Sequence, residues 1–461
     1  MPVVTLPTAP LWSRFRLAAR AVRHKFRASS ALGAFWPAVV RGGKLLARGQ
    51  FRQFAGKLLN EIPTIRAAES APVRTGPPLF LAGHILRPGG YDHVVFAVLK
   101  GLLDSGVNVH RDPRSVIRPD LVPPALQPAE APRDSNQPRL AATPPHLLRR
   151  FHPDRQTAAF TMWETDTLPV ASVVALNRCG LVIVPTRWGA DCFRANGVTV
   201  PIEVVPLGYD PAIFSVGSLD MGRVLLPAPP EPLCVFGTAG ALDEGGLRKN
   251  VQRVVDLFRR AFPTEVGVRL RVKISPTSPP VRTEDDPRVE VTRQSLSPAE
   301  LADWYQSLTV FVNGSFGEGF GLHLLEAMAC GKPLISTTFG GAGAFFDGSV
   351  GYVVGYRLVE AHNAIYSGRW ADPDDGDMIE QLRRVSHDHN EAARFGTLAA
   401  ERAAPFTWKQ TARWLVAVLA RYGFLPASLA HRPECGCERG QNHQDDPEPR
   451  LRLARGGVLS R

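Results

Sequence analysis

Residues 314–338 read GSFGEGFGLHLLEAMACGKPLISTT and hold two carboxylates, Glu318 and Glu326, separated by seven residues. The β-branched and apolar segments at 309–313 and 333–337, on either side, are typical of strands. Between them, LHLLEAMAC is strongly helix-forming, and the Gly-Lys-Pro that follows is a stop signal. The stretch therefore predicts a β-α-β element of a parallel sheet.

The start of this helix is expected at the carboxyl edge of the sheet, where open α/β folds bind ligands. Gly319 and Gly321 remove side chains from that point. The backbone N–H groups of Phe320, Gly321 and Leu322 are therefore predicted to bind an anion such as a diphosphate.

The two carboxylates are predicted to act separately. Glu318 would lie at the mouth of the anion site, where a carboxylate suits hydroxyl groups better than phosphate. Glu326 would lie about 12 Å further along if the span is fully helical, which is too far for the pair to share a proton. Two hydroxyl-bearing groups held around one diphosphate describe a nucleotide sugar.

The segment resembles the Glu-seven-residues-Glu signature of the family 4 retaining glycosyltransferases, of the bacterial group 1 type, which adopt the GT-B fold. This resemblance covers about residues 78–422 and is strongest in the second half. It implies that Glu318, in the catalytic site, contacts the donor sugar and that Glu326 contacts the ribose. The other interpretation is a surface Glu beside a glycine turn and a helix Glu with ordinary neighbours.

A second group of candidates follows a strand predicted to end at Gly240, a donor-site position in the resemblance. Arg248 and Lys249 precede the next helix, where basic residues oppose the helix dipole unless an anion lies between them. The resemblance implies that Lys249 binds the leaving diphosphate and acts in catalysis. Ala241 stands where the family carries an Arg, so Arg248 either substitutes for that Arg or faces solvent.

Two more glycine loops are candidates for the donor site. Gly89 and Gly90 follow the first predicted strand, and Gly341 follows the strand at 333–337. In the resemblance Gly341 borders the donor site, whereas Gly89 and Gly90 face the donor phosphates or the acceptor; a plain tight turn is the alternative for these two. The spacing is not that of a GxGxxG dinucleotide fingerprint.

Length and composition favour two domains, because 461 residues with 44% apolar content can bury more than one core. The expected fold class is α/β: GT-B, with two Rossmann-like parallel-sheet domains facing a cleft and a basic helical N-terminal extension. The predicted divisions are an extension at 1–75, an acceptor-side domain at 76–207, a donor-binding domain at 208–400, a helix crossing back to the first domain at 401–425, and a disordered tail at 426–461.

The basic charge belongs to the extension. Residues 1–75 contain thirteen Lys or Arg and two Glu, which accounts for the net charge of +11. Basic and large apolar residues alternate along 11–65, a pattern typical of amphipathic helices on an anionic membrane surface. Packing on the catalytic body is the alternative. Because the rest of the chain is neutral, nucleic-acid binding is not predicted.

Other features set further expectations. Residues 112–145 contain nine prolines and predict an irregular loop. His323 is expected to face solvent. Scattered cysteines and the lack of a long apolar run favour a cytoplasmic protein, peripheral on the inner face of the membrane if the extension binds lipid. No cofactor or metal is predicted, since Glu164 and Asp166 make an unconvincing metal motif.

These observations together predict a retaining, metal-independent glycosyltransferase. It would move a sugar from a nucleotide diphosphate sugar to a glycan or lipid-linked acceptor, in surface polysaccharide synthesis. The alternative is a catalytically weak sugar-nucleotide-binding or scaffold protein on the same fold.

Overall fold

The structure, a computed structural model, describes five parts of the chain: residues 76–86, 90–217, 234–240, 248–361 and 365–429. The predicted N-terminal extension, Gly89, Ala241 and most of the predicted tail lie outside these ranges.

Seven parallel strands form the first sheet, in the order β3-β2-β1-β4-β5-β6-β7. Its four central strands are buried along their whole length, as expected for a parallel sheet covered on both faces. The strands are β1 Leu79–Ala82, β2 Val109–Arg111, β3 Ala129–Glu130, β4 Arg139–Ala142, β5 Thr157–Phe160, β6 Leu181–Val184 and β7 Ile202–Val204.

Three α-helices accompany this sheet in the described ranges. They are α1 Gly90–Asp104, α2 Val170–Leu176 and α3 Arg187–Ala195. The third begins where the sequence supplies a capping residue, because the Thr186 hydroxyl accepts a hydrogen bond from the backbone N–H of Gly189.

The prediction of an irregular loop at 112–145 was partly wrong. Three short 3-10 turns lie in or at the end of this region, at Pro119–Leu121, Pro124–Leu126 and Pro145–Phe151, but β4 runs through it as a central strand. This strand was not predicted because it begins with a charged residue, Arg139. That side chain is nevertheless only 2% exposed, and its Nε lies 2.9 Å from the buried Asp112 carboxylate. A buried ion pair has taken the place that apolar residues usually hold.

Six parallel strands form the second sheet, in the order β10-β9-β8-β11-β12-β13. The strands are β8 Cys234–Gly240, β9 Val268–Ile274, β10 Val289–Arg293, β11 Val310–Val312, β12 Leu334–Ser336 and β13 Tyr352–Val353. Five helices accompany it: α4 Val251–Ala261, α5 Pro298–Gln306, α6 Leu322–Ala329, α7 Asp375–His387 and α8 His389–Ala403. The β-α-β element predicted around the two carboxylates is confirmed as β11-α6-β12.

All strands stay parallel, but in each sheet the sequence order of the strands reverses at one internal pair, β1 with β4 and β8 with β11. Open parallel sheets bind ligands outside the carboxyl ends of the strands at such a switch point. The prediction of two Rossmann-like sheets is confirmed, and the two switch points mark where a site is expected.

The last helix, α9 Trp408–Arg421, follows the second sheet in sequence but packs against the first. The Thr411 hydroxyl donates to the carbonyl of Pro206 at 2.9 Å, and Gly101 of α1 leaves room for Ala412. A 3-10 turn at Ala427–Leu429 ends the described chain. Within the described ranges every helix is too short or too polar to span a bilayer.

A separate antiparallel hairpin, β14 Tyr356–Glu360 and β15 Arg369–Pro373, lies between β13 and α7 in sequence. The backbone at Ser367, beside this hairpin, pairs with Thr167 of the first domain. The hairpin therefore connects the two sheets directly.

Candidate active site

Two loops meet at the switch point of the second sheet. The strands β8 and β11 are neighbours in parallel register, with Phe236 opposite Val310, so their carboxyl ends lie at the same edge. The connection after β8 leads to Arg248 and Lys249 before α4, and the loop after β11 carries Glu318. Residues almost 70 positions apart in sequence are thereby brought together.

The predicted catalytic residues form one buried ion cluster. The Lys249 ammonium lies 2.7 and 2.8 Å from the two carboxylate oxygens of Glu318, and Nη1 of Arg248 lies 3.3 Å from one of them. Glu318 is 6% exposed. Burial alone would raise the pKa of this carboxylate, but the two cations together lower it far below its usual value. Glu318 is therefore ionised at neutral pH.

Arg248 does not face solvent, which was one of the two interpretations of its sequence position. Its side chain is 15% exposed, and its guanidinium also donates to the carbonyl of Gly317 at 2.9 Å. The ring of Tyr366 lies 5.8 Å from the guanidinium carbon. Arg248 thus lies beside Lys249, and both cations contact the carboxylate of Glu318.

The expectation that His323 faces solvent was wrong. Its side chain is 19% exposed, and Nε2 lies 3.9 Å from the Glu318 carboxylate. The physical reason is that no residue of α6 is exposed, and the first turn of this helix faces the ion cluster instead of solvent. Burial, reinforced by Lys249, lowers the pKa of His323 to about 3.

Glu326 lies in the second turn of α6 and is 9% exposed. Its carboxylate accepts a hydrogen bond of 3.2 Å from the hydroxyl of Tyr305, a buried side chain of α5. Burial raises the pKa of Glu326 to about 7, against the opposing effects of the Tyr305 hydroxyl and the charge of Lys273. This carboxylate changes its charge in the physiological range.

The stretch between the two carboxylates is helical only from Leu322, so the distance expected for a fully helical span does not apply. Gly321 precedes the helix with φ of +94°, a conformation that favours glycine. The side chain of Phe320 packs into the core against Phe345 and leaves only its backbone for a ligand. The N–H groups of Leu324 and Leu325 donate to the carbonyl of Gly321, so those of Leu322 and His323 are the ones that the start of this helix leaves without an internal acceptor.

The remaining donor-site glycines allow close packing. A Cβ at Gly319 would lie 2.6 Å from the side chain of Met162 in the first domain, and one at Gly240 would lie 2.9 Å from Cβ of Lys249. A Cβ at Gly341 would lie 2.3 Å from Cα of Phe320. These positions let the loops approach each other around the cluster, and a direct role in donor binding stays a prediction.

The structure says less about Gly89 and Gly90, the two candidates at the edge of the first sheet. Gly90 is the first residue of α1, with φ of +59°, and Gly89 lies outside the described ranges. The predicted role of both in binding therefore stays a prediction.

Glu164 and Asp166 lie where the first domain meets the second. The carbonyl of Glu164 lies against Gly317, and Asp166 binds the Arg369 side chain at 2.9 Å. In the described ranges no group of three or more His, Cys, Asp or Glu is arranged to hold a metal ion.

The hairpin is the part of the site that sequence reasoning missed. Trp370 of β15 stacks on Phe316, two residues before Glu318, with ring centroids 5.1 Å apart, and Tyr366 covers Arg248. The two aromatic residues Tyr366 and Trp370 were a sign of packing in this segment, but the residues that they contact lie in distant parts of the chain.

Residues 235–366 match the family described as Glycosyl transferases group 1. The chain is also 30% identical over 236 residues to a D-inositol 3-phosphate glycosyltransferase of Stackebrandtia nassauensis. That match covers 48% of this chain and 48% of the relative, so the chain spans about half the length of the curated relative.

Two solved structures share the architecture. A sucrose-phosphate synthase from Thermosynechococcus elongatus superimposes with a TM-score of 0.56 at 17% identity, covering 75% of this chain and 99% of the other. The Anabaena protein HepE, solved in complex with UDP and glucose, gives a TM-score of 0.56 at 14% identity over 75% of this chain and 100% of its own. The fold is therefore GT-B, and residues 235–366 form a domain of the Glycosyl transferases group 1 family.

Proposed function

We propose that the protein is a glycosyltransferase that moves a sugar from a nucleoside diphosphate sugar to an acceptor, with retention of anomeric configuration. The observation that carries the proposal is the buried cluster of Lys249, Arg248 and Glu318 at the switch point of the second sheet. Two cations and one carboxylate, with Glu326 in the helix α6 that follows the Glu318 loop, match a ligand that has both phosphates and hydroxyl groups.

In this reaction the bond between sugar and diphosphate breaks, and negative charge develops on the leaving phosphate. Lys249 and Arg248, with the N–H groups at the start of α6, are the groups placed to stabilise that charge. Preorganised charge of this kind is often the largest single contribution to catalysis, because it needs no reorganisation during the reaction. The leaving diphosphate is proposed to accept the proton of the acceptor hydroxyl.

The two carboxylates are proposed to bind different hydroxyl groups of the donor. Glu318 is ionised and lies beside the cations, so it is suited to accept hydrogen bonds from the sugar. Glu326 is held by Tyr305 and is suited to accept them from the ribose. Both interactions require a carboxylate without its proton, which links donor binding to pH.

The acceptor is proposed to be a glycan or a lipid-linked sugar, with a role in surface polysaccharide synthesis. A lipid-linked acceptor is compatible with the predicted membrane binding of residues 11–65. Because side chains and N–H groups supply the positive charge, we propose that the reaction proceeds without a metal ion.

A thermal-shift screen of nucleotide sugars tests the donor assignment, since a ligand that binds only the native protein raises its melting temperature. UDP-glucose is the first candidate, because the HepE structure contains UDP and glucose; UDP-N-acetylglucosamine and GDP-mannose complete the panel. Transfer is then measured with and without EDTA. A donor that is bound and transferred at the same rate in both conditions supports the proposal, and failure of all donors to bind contradicts it.

The second candidate is a protein that binds nucleotide sugars without efficient turnover. The replacement of the family's Arg by Ala241 favours it, because one cation for the leaving group is missing from its usual position. Donor binding with neither hydrolysis nor transfer across a broad acceptor panel would select this alternative.

A further inference from the structure

We propose that His323 is a donor-site residue that hydrogen-bonds the sugar-bearing phosphate of the nucleoside diphosphate and takes up a proton as it does so. The inference rests on the proposed function and extends it. It assigns a specificity role to a residue that the Glu-seven-residues-Glu signature does not include.

The position of the ring carries the inference. His323 is the second residue of α6, and its Nε2 lies 3.9 Å from the carboxylate of Glu318. The ring packs edge-on against Phe311 of β11, with centroids 5.7 Å apart, which fixes its orientation. The Nε2 atom and the ammonium of Lys249 both lie near the same oxygen, Oε1 of Glu318, at 3.9 and 2.7 Å.

The Nε2 atom is shielded from solvent and has no hydrogen-bond partner among the described residues. Leaving a buried polar atom unpaired is unfavourable, and an apolar side chain at this position would avoid that cost. A phosphate oxygen bound beside Lys249 would supply the missing partner.

The charged groups around the ring explain the coupling to a proton. Glu318 faces the ring from the loop after β11, Lys249 and Arg248 from the start of α4, and Lys273 from the end of β9. Burial is the main cause of the low pKa of His323, the three cations lower the pKa further, and Glu318 opposes them.

A bound diphosphate adds negative charge to this set and so raises the pKa of His323. In the free protein at pH 7 the ring is neutral, since its pKa is about 3. In the complex the protonation equilibrium shifts toward the imidazolium form, and the proton is taken from solvent. When the nucleoside diphosphate leaves after transfer, the proton returns to solvent, so the cycle is balanced.

The test compares the wild-type protein with His323→Gln and His323→Leu. Gln keeps an N–H group near the position of Nε2 but does not titrate, whereas Leu removes the group. His387→Gln, at an exposed position in α7, is the matched control. UDP and UMP are the probes, replaced by GDP and GMP if the donor screen selects guanosine, and affinities are measured by calorimetry in buffers of different ionisation enthalpy.

Glu326 should release a proton when the ribose binds, and this release is common to all variants, so the contribution of His323 is read as a difference between variants. On binding UDP, the wild-type protein and the His387→Gln control should bind a fraction of a proton more than His323→Gln, with a larger difference at pH 6 than at pH 8. His323→Gln should retain most of the affinity. His323→Leu should weaken UDP binding by roughly 2- to 10-fold, the range of one net hydrogen bond, and leave UMP binding unchanged.

The outcomes separate this inference from the proposed function. If the wild-type protein binds no nucleoside diphosphate, the proposed function fails and the inference fails with it. If the wild-type protein and His323→Gln exchange the same number of protons on binding UDP, or if the Leu variant loses UDP and UMP affinity equally, the inference is overturned while the proposed function stands.

Discussion

Replacing Glu318 by Gln should change nucleotide binding and turnover in opposite directions. In the free protein the Glu318 carboxylate neutralises Lys249 and Arg248, the same cations proposed to bind the diphosphate. Gln keeps the size of the side chain and removes its charge. We therefore expect UDP alone to bind more tightly to Glu318→Gln, while transfer of sugar falls by at least about tenfold because the carboxylate contact to the sugar is lost.

The magnitude follows from the distances. Lys249 Nζ lies 2.7 and 2.8 Å from the oxygens of Glu318. A phosphate oxygen at about 2.8 Å on another side of the same ammonium would lie roughly 5 Å from the carboxylate. At an effective dielectric constant of about 20, two unit charges at this distance repel by about 3 kcal/mol. After screening by the two cations, about 1–2 kcal/mol should remain, which corresponds to roughly 5- to 30-fold tighter binding.

The assay is calorimetry with UDP, together with urea unfolding of each variant and a transfer assay. The unfolding free energy of Glu318→Gln should fall, because a buried pair loses one partner, and saturating UDP should recover part of the loss. Glu380→Gln, an exposed position in α7, controls for a general change of charge. Equal or weaker UDP affinity in a folded Glu318→Gln protein would refute the reasoning.

Four more outcomes are expected. In the His323→Gln protein, where no imidazole takes up an opposing proton, donor affinity should decrease as pH falls below about 7, the pKa of Glu326, and adding Tyr305→Phe should move the midpoint to higher pH because the hydroxyl stabilises the ionised carboxylate; a pH-independent affinity of His323→Gln in calorimetry would contradict this. Lys249→Met should reduce the transfer rate by about 100-fold or more and destabilise the protein by about 3–5 kcal/mol in urea unfolding; wild-type turnover would remove its assigned role. Arg369→Ala should lower kcat in steady-state kinetics but change the unfolding free energy in a urea titration by only about 0–1 kcal/mol, because the ion pair is exposed. Deletion of residues 1–65 should abolish sedimentation with anionic vesicles at low salt, and unchanged sedimentation would exclude a membrane role for the extension.

The strands and helices of the second sheet could be predicted because their signals are local. The apolar strand at 309–313, the helix formers after Gly321 and the stop at Gly331 each act within a few residues. The capped helix α5 is a similar case, since Ser297 and Glu300 form a capping box within four consecutive residues.

The environment of a side chain could not be predicted in the same way. His323 lies on a helix that has almost no solvent-exposed face, so the position of the residue in the sequence did not show which group it would meet. Arg139 made a central strand look polar in the sequence. Its burial could not be predicted, because Asp112, the partner that permits it, lies 27 positions earlier. In both cases the deciding contact is long-range, and a local pattern carries no information about it.

The hairpin is the clearest example of such long-range contacts, because it joins the first domain to the loop of Glu318. The backbone N–H of Asp166, in the first domain, donates to the carbonyl of Arg369, and the backbone N–H and Nε of Arg369 donate to the Asp166 carboxylate. Two residues on, the N–H of Ala371 donates to the carbonyl of Phe316 at 2.8 Å. One short strand thus contacts the first domain and the loop of Glu318. A rotation of one domain against the other must either break the contact with Asp166 or displace the Glu318 loop, so the position of the ion cluster depends on how the domains are held together.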